Sequence, residues 1–557
     1  MYFKKFMGGI VAVGLVLAAC TPSGSSSESP GGSAGASGSP AQAADQVLRV
    51  NMSQEPPHLD PTLADDSISI QVLRSITLPL AYYNADLEVV PGLADSWDVS
   101  ADGKEITFHL GDHKYSNGDD IIAADFVTSY RRLADPRIAA SYSYSLEPVV
   151  GWSELQEIDI TTATADADVE AGLDALGVAA PDDKTFVVTL KRAASYFVYI
   201  AAGWFSAPEK EDFDYSEADT YVSSGPMMIA EWRHNSNIKL VPNPEWNGEA
   251  VTIDEIDLAM INDPTASLAA YEADELDVTG VPRAEVNRVK EDPVLSGQIR
   301  EGDVLSIAYF GFDLKNPNGP FTKSVLLRKA FNEALDKDTM LATIFSGIGT
   351  VAYSLVPPGM PGHQDDQFIP FDATQAKADF DEAVAALGTT ADALNLELGY
   401  NVAGNNEDLA VYFQEQWRTV FGIEVKLTSM GDFGAYLDRL TEDPFDIFRL
   451  GWGADYPHPN NFLTDLISCT SGNNNMGYCN PAVDALLEQA SSLANLEDQV
   501  PLYNEAQEMV MADAPIIPQT FGARFTLVKP WVQNLVLTAQ DSNSGELFYA
   551  WTTIAAH

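Results

Sequence analysis

The chain has 557 residues and a net charge of −50, from 31 basic and 81 acidic side chains. So acidic a protein would repel phosphate groups, which argues against nucleic acid as a partner. Hydrophobic residues make up 46% of the chain, and its length exceeds what one ordinary core holds, so at least two domains are expected.

The N-terminus has the layout of a secretion signal, predicted at residues 1–19. Lys4 and Lys5 form a short basic region, and residues 8–17 form an apolar stretch too short to span a bilayer. The segment ends in LAAC, which resembles the lipobox of bacterial lipoproteins and implies that Cys20 carries lipid. Two or more acyl chains hold a protein firmly on a membrane. The alternative is a cleaved, unlipidated signal followed by an incidental cysteine.

Residues 20–45 are expected to tether a globular body to this lipid. Residues 21–45 are rich in Gly and Ser and contain no large apolar side chain, so they cannot build a core. A flexible chain of that length has an end-to-end distance of roughly 25–30 Å. No later stretch is apolar enough to cross a bilayer, so we expect an extracytoplasmic protein anchored to the cell membrane by lipid.

The other two cysteines, Cys469 and Cys479, flank a short loop rich in Gly and Asn. In an exported protein such a pair indicates a disulfide bond, which would contribute about 2–3 kcal/mol to stability. A metal site is the weaker interpretation, because no histidine or further cysteine lies nearby. We therefore predict a disulfide and no metal.

The remaining chain alternates strand and helix patterns, which indicates α/β lobes with central sheets. In chain order the patterns first predict strands at 47–52 and 106–110 and a turn at Asn117-Gly118. Next comes a helix that stops at Pro136 and carries Phe126, Val127, Tyr130 and Leu133 on one face, and after it a strand at 186–190. The later patterns predict a helix at 325–335, a helix capped by Asp336 and Asp338, and a helix ended by Gly422 with a strand after it.

Nine blocks match one family in order between about residues 50 and 532. They are LDPTLADDSISI, PGLADSW, ITFHLGDHKYSNGDDIIAADFVTSYRR, SSGPMMIAEW, NPEWNG, LRKAFNEALDKDTM, GIEVKL, FDIFRLGWGADYPHP and PIIPQTFGARFTLVKPWV. The set resembles the solute-binding lipoproteins of peptide-type ABC importers, bacterial extracellular solute-binding protein family 5, which includes the oligopeptide- and dipeptide-binding proteins. The resemblance implies an oligopeptide receptor that delivers its ligand to membrane permease subunits.

The resemblance also implies a fold: an α/β, two-lobed, periplasmic-binding-protein-like architecture (type II, large peptide-binder cluster) with a hinge. Lobe I would be discontinuous, an inserted subdomain would interrupt it, and the lobes would close on ligand. The implied boundaries are 46–77, 207–305 and 523–557 for lobe I, 78–206 for the inserted subdomain and 306–522 for lobe II.

Asp455 is the first candidate for ligand binding, because it follows the strand-like run DIFRLGW at a Gly-rich turn. A carboxylate at the end of a strand can face a cleft, although from chemistry alone a turn or helix cap is the simpler role. In the family the aspartate of this motif pairs with the ligand's α-ammonium. The resemblance therefore implies that Asp455 holds the peptide N-terminus.

Arg449 occupies the position of a family arginine that can reach a peptide carboxylate, and its planar guanidinium suits that group. The alternative is a salt bridge to one of the many acids. Gly451 and Gly453 would let a peptide backbone pair with the protein as an added strand.

Five further residues are implied by their family positions. Trp452 and Phe433 would line side-chain pockets, although each could equally be plain core. Asp65 and Ser67 lie in the segment that hydrogen-bonds ligand main chain, and Tyr142 falls where the inserted subdomain contributes an aromatic contact.

Three positions depart from the enteric oligopeptide binder. Phe345 and Glu407 stand where that protein has basic residues that meet the C-termini of longer peptides, and Gly453 replaces a disulfide-bonded cysteine. The length preference and the recognition of the peptide C-terminus therefore stay open.

Two other classes of function are alternatives for this sequence, an enzyme and a binder of a different solute. The only GxSxG match, at residues 31–35, lies in the Gly/Ser-rich predicted tether and is not a nucleophile elbow between a strand and a helix. HExxH and GxxxxGK[ST] motifs do not occur, and His109 and His113 lie in a strand-to-turn segment, so we expect neither an enzyme nor a cofactor. The other alternative is a binder of the same fold for a non-peptide solute such as an oligosaccharide. Asp455 favours peptide, because a sugar needs no fixed ammonium partner. We expect a monomer.

Overall fold

The structure, a computed structural model, describes residues 42–541 and 544–557. The predicted signal, Cys20 and residues 20–41 of the predicted tether lie outside the described residues. Strands and helices alternate through most of the described chain, as the sequence pattern predicts for an α/β protein. None of the helices in the described ranges is long and apolar enough to cross a membrane.

The strands are numbered in chain order over the described residues. They are β1 (Val47–Asn51), β2 (Ala81–Tyr83), β3 (Val89–Pro91), β4 (Ala94–Val99), β5 (Glu105–Leu110), β6 (Val178–Asp182), β7 (Thr185–Thr189), β8 (Met227–Arg233), β9 (Asn237–Pro242), β10 (Glu255–Ala259), β11 (Val278–Gly280), β12 (Ile299–Phe312), β13 (Thr350–Val351), β14 (Glu397–Asn401), β15 (Lys426–Met430), β16 (Ile447–Gly453), β17 (Ile516–Val528), β18 (Val532–Gln533) and β19 (Thr553–Ile554).

The α-helices of the same ranges are numbered likewise. They are α1 (Ser67–Ile76), α2 (Ala123–Ala134), α3 (Trp152–Gln156), α4 (Ala165–Ala175), α5 (Phe197–Ile200), α6 (Pro264–Glu272), α7 (Val286–Glu291), α8 (Pro320–Lys323), α9 (Val325–Glu333), α10 (Lys337–Ile344), α11 (Ala373–Ala386), α12 (Asn406–Phe421), α13 (Phe433–Glu442), α14 (Pro459–Ile467), α15 (Pro481–Ser491) and α16 (Leu496–Asp513). Short 3-10 turns occur at Ser143–Leu146, Trp204–Ser206, Arg283–Glu285, Leu295–Gln298, Ala391–Ala393 and Tyr549–Trp551.

One mixed sheet organises most of the described chain. Its strand order is β15-β14-β16-β12-β17-β11-β1-β10-β9-β8, with β13 beside β17. The β14 and β1 strands pair in parallel with their neighbours, whereas β12 and β17 are antiparallel to theirs. A separate antiparallel sheet, β4-β5-β7-β6, lies within residues 94–189.

The long strands β12 and β17 connect the two halves of the large sheet. The start of β12 and the end of β17 pair beside β11, and their other ends pair beside β16. Their register shifts between Val304 and Ile307, where Gly522 lies close to Ser306. A Cβ on Gly522 would meet the Ser306 Oγ and would lie 3.1 Å from the Val304 carbonyl oxygen, so the two strands approach each other closely there. The two strands β12 and β17 thus form the connection between the two halves of the sheet, and their pairing is irregular at that point.

Separate hydrophobic cores lie on the two sides of this connection. One contains Val50 and Ile256 together with Phe108 and Phe186 of the small sheet. On the other side, Phe310 of β12 packs in a core with helices α9 and α12, and a further core packs around α14 and α16. The chain therefore builds two lobes, each with its own buried interior.

The predicted elements agree with the structure apart from one helix cap. Helix α2 buries Phe126, Tyr130 and Leu133 and ends before Pro136, as its apolar period predicts. Asp336 caps α10 by accepting from the Thr339 N–H at 3.0 Å. The prediction that Asp338 also acts as a cap is wrong, because the helix has already begun at Lys337 and Asp338 lies in its first turn.

Candidate ligand-binding site

Asp455 lies two residues beyond the end of β16 and is partly buried. Its Oδ2 accepts hydrogen bonds from the Tyr144 hydroxyl at 2.5 Å and from Asn461 Nδ2 at 2.8 Å. Burial raises the pKa of Asp455, and hydrogen bonds from Tyr144, Asn461 and Tyr142 oppose that rise. Asp455 is therefore a desolvated carboxylate without a cationic partner among the described residues.

Aromatic rings surround this carboxylate on the side of residues 142–205. Tyr142 stacks on Phe205 with ring centroids 5.2 Å apart, and it meets the edge of Trp204 at 4.8 Å. The Tyr142 and Tyr144 rings stack at 5.9 Å. Such packing fixes the two phenols beside Asp455 and keeps water scarce around it.

Asp65 and Ser67 lie next to the same tyrosine segment. The Ser141 hydroxyl donates to Asp65 Oδ2 at 2.6 Å, which brings residue 65 beside Tyr142. Ser67 is exposed at the start of α1, and Asp66 caps that helix by accepting from its first free N–H groups. The structure therefore gathers Asp65, Tyr142 and Asp455, which are distant in sequence.

Arg449 lies on β16 and has no acidic partner within 4 Å among the described residues, so the alternative of a salt bridge does not hold there. Its Nε is buried without a hydrogen-bond partner. Burial lowers the pKa of the Arg449 guanidinium, and the nearby Tyr436 and Tyr309 oppose that effect. An unpaired, partly buried arginine is costly, which indicates a place for an anionic group.

One edge of β16 is open between these two charged residues. The strand pairs with β12 along its whole length. On the other side, β14 pairs only with Ile447 and Phe448. From Arg449 to Gly453, no strand of the described ranges occupies that edge. An open edge of this kind is a template for another extended chain.

The backbone groups of Gly451 and Gly453 face the open edge. Successive residues of an antiparallel strand turn their N–H and C=O groups to opposite sides. The Ala454 N–H donates into β12 at 2.7 Å, whereas the Arg449 C=O accepts from the Tyr436 hydroxyl on the other side at 2.8 Å. Steps of two from Arg449 therefore place the N–H and C=O groups of both exposed glycines on the open edge.

The two predicted pocket aromatics lie at opposite ends of this edge. The Trp452 indole N–H donates to Asn461 Oδ1 at 3.1 Å, so the ring lies beside Asp455. Phe433 begins α13, is 50% exposed and stacks on Tyr436 at 6.2 Å, near Arg449. Phe433 is therefore not part of a core, whereas Trp452 is partly buried against one.

Sequence reasoning missed Tyr144, Asn461 and Arg74. The SYSYS run offered two tyrosines, and Tyr144 makes the short hydrogen bond to Asp455. Arg74 and Asp455 both line a narrow pocket of about 50 Å³, where Arg74 pairs with Glu546 at 3.2 Å. Asn461 could have been proposed from the polar start of α14, but nothing in the sequence singled out Arg74.

Glu407 and Phe345 are two of the three positions that differ from the enteric oligopeptide binder. Glu407 is exposed in the first turn of α12. Phe345 follows the last residue of α10, and Arg283, from the 3-10 turn before α7, lies over its ring at 4.6 Å. Arg283 also donates to the Ile344 carbonyl at 2.5 Å, so a cation is present beside position 345 although the residue there is aromatic.

Cys469 and Cys479 form a disulfide in the structure. The histidines singled out in the sequence do not converge: His109 contacts Asp98, and His113 contacts Asn247. Within residues 42–541 and 544–557 no group of three or more His, Cys, Asp or Glu side chains could hold a metal ion.

This fold and site define a two-lobed binding protein with an open strand edge between a carboxylate and an arginine. The chain belongs to the bacterial extracellular solute-binding proteins, family 5, because the model for that family ("family 5 Middle") matches residues 88–474.

Three relatives illustrate the likeness. The oligopeptide-binding protein OppA of Bacillus subtilis is 29% identical over 504 residues, covering 88% of this chain and 89% of that protein. The periplasmic oligopeptide-binding protein OppA of Salmonella typhimurium is 28% identical, covering 87% and 89%. The unliganded open form of the periplasmic murein tripeptide-binding protein MppA superposes with a TM-score of 0.76 at 25% identity, covering 93% of this chain and 99% of that one. The predicted family and fold class are confirmed.

Proposed function

We propose that this protein is the extracytoplasmic substrate-binding component of an ABC importer, and that it captures oligopeptides between its two lobes. Its relatives in the same family include oligopeptide- and tripeptide-binding proteins. The role is binding and delivery to the permease rather than catalysis.

The open edge of β16 is the observation that carries the proposal. Gly451 and Gly453 present main-chain donors and acceptors without side chains in front of them. A peptide that pairs there gains affinity from its main chain, whatever its side chains are. An oligosaccharide has no main-chain amides to match this edge, which favours peptide over the same-fold sugar binder.

The charges at the two ends of the edge match the two ends of a peptide. Asp455 accepts hydrogen bonds from neutral donors only, and its Oδ1, to which neither Tyr144 nor Asn461 donates, would receive the α-ammonium. Arg449 has no ion pair among the described residues and would receive the carboxylate. Six residue steps separate Arg449 from Asp455, on the order of 20 Å between Cα atoms, and the long Arg449 side chain would let a shorter extended peptide connect the two charges.

Closure of the lobes would bring the remaining site residues onto the ligand. Asp65, Ser67 and Tyr142 come from the lobe opposite β16, and Trp452 and Phe433 flank its edge. The domain limits proposed above place the hinge at 305/306 and 522/523. The register shift of β12 and the tight approach at Gly522 support that position.

We further propose that Cys20 carries the lipid that holds a monomeric receptor on the cell membrane. The signal-like residues before it and the Gly/Ser-rich residues after it support this assignment. Cys20→Ala should release the protein from the membrane fraction into the medium, and unchanged membrane retention would contradict lipidation.

Isothermal titration calorimetry tests the peptide assignment. Trialanine should bind, whereas trialanine with both an acetylated N-terminus and an amidated C-terminus should bind at least about a hundredfold more weakly. A maltotriose titration is the matched test of the alternative. Saturable binding of maltotriose without binding of any free tripeptide would overturn the proposal.

A further inference from the structure

A second cavity lies outside the strand edge, between residues 144–200 and residues 456–491. Its volume is about 600 Å³, which is ample for a small organic molecule. Residues 470–473, inside the loop closed by the Cys469–Cys479 disulfide, form part of its wall. Asp455 does not line this cavity, but Tyr144, which donates to Asp455, does, so the cavity is a neighbour of the proposed ammonium site.

The wall from α14 and α15 carries three unneutralised acids. Asp465, Asp484 and Glu488 line the cavity, and no Lys, Arg or His of the described ranges lies within 4 Å of them. Asp484 and Glu488 are one turn apart on α15 and so share a face. This wall is therefore acidic, and Asp465 carries only part of its charge at neutral pH because burial raises its pKa to about 7.

The facing wall does not neutralise them. Arg192 lines the cavity but is already held by Glu147, with nitrogen–oxygen distances of 3.1 Å and 2.5 Å. Lys191 adds a third nitrogen to the same carboxylate at 2.5 Å. The cation nearest the acids is thus committed to another partner.

Aromatic rings and free oxygens complete the lining. Tyr144, Trp152 and Tyr196 offer faces that attract cations and pack against alkyl chains. Ser145 is only 4% exposed, and its Oγ has no hydrogen-bond partner. Thr464 Oγ1 also lacks one. Buried hydroxyl oxygens without a partner indicate that a donor is missing from this cavity.

We propose that the cavity is a second binding site, which takes a linear organic cation with two or more ammonium groups on an alkyl chain. The carboxylates and free hydroxyl oxygens accept hydrogen bonds from the ammonium groups, and the aromatic faces pack against the methylenes. The molecule bridges the two walls, which belong to segments that are distant in sequence. The cavity is adjacent to the proposed peptide site and shares Tyr144 with it, but its acids are different from Asp455.

Calorimetry of the full chain with cadaverine, a five-carbon diamine, tests the proposal. Saturable binding is expected, with pentylamine weaker by at least about tenfold because it carries one charge. The Asp484→Asn/Glu488→Gln double variant should weaken cadaverine binding at least about tenfold. The amide of Asp484→Asn retains the oxygen that accepts from the Cys469 N–H, so the fold is preserved.

The matched control is Glu497→Gln/Glu505→Gln, which removes two exposed charges from α16 outside the cavity. It should change cadaverine affinity less than about twofold. If the double variant does not fold, Glu488→Gln alone, an exposed position, should weaken binding by at least about threefold. Equal weakening by the control pair, no saturable binding, or loss of binding in Asp455→Asn would each overturn the proposal.

Discussion

Replacing Asp455 by Asn removes the proposed partner of the peptide ammonium while keeping the local fold. Tyr144 and Asn461 both donate to Oδ2, so the oxygen of an amide can take the place of that atom. The amide NH2 of the substituted side chain then faces the peptide ammonium, and because both groups are hydrogen-bond donors, no hydrogen bond forms between them. A hydrogen bond to a charged group contributes about 1.5–3 kcal/mol, so the affinity for trialanine should fall by about 10- to 150-fold.

Acetylation of the peptide N-terminus makes this prediction specific. The acetylated peptide should bind wild-type protein about as weakly as trialanine binds Asp455→Asn. The two changes combined should cost little more than either alone, because they remove the same interaction. The control Asp212→Asn alters an exposed carboxylate without a described contact and should leave the affinity unchanged. A loss below about threefold in calorimetry, or additive losses, would refute the ammonium role of Asp455.

Three other predictions follow from the same edge. Arg449→Met should reduce the advantage of a free peptide C-terminus over its amide to less than about twofold in calorimetry, and an unchanged preference would contradict the carboxylate role. Gly453→Pro removes a backbone N–H from the open edge and should weaken trialanine binding about fivefold or more, whereas Gly453→Ala, with open space at its Cβ, should bind more tightly than the proline variant. Because burial raises the pKa of Asp455, protonation should weaken wild-type binding as the pH falls from about 7.5 to about 4.5, and this dependence should shrink in Asp455→Asn.

The sequence predicted most helices and strands well because their buried side chains recur at the spacing of a helix or a strand. The face of Phe126, Tyr130 and Leu133 is buried on α2, and Gly422 ends α12 with a positive φ of 77°. The buried face of α2 and the end of α12 each depend on residues only a few positions apart in the sequence. The wrong prediction of a cap at Asp338 shows the limit, because Asp336 and Asp338 lie two positions apart and the sequence alone does not decide which of them precedes the helix.

The site was only partly predictable because its partners are distant in the chain. The family motif pointed to Arg449, Gly451, Gly453 and Asp455, which one strand and its turn keep together. Tyr144 reaches Asp455 across 311 positions, so its role depends on how two lobes meet. The acidic cavity likewise is lined by two segments that are distant in the sequence, so no short sequence motif predicts it.

Mass spectrometry of small molecules released from the purified, acid-denatured protein tests the central claim most directly. Peptide capture predicts a mixture of short peptides with free N-termini, because main-chain pairing at β16 tolerates varied side chains. The same release from Asp455→Asn should contain far less peptide. A single sugar or other non-peptide solute in stoichiometric amount, with peptides absent, would contradict the account.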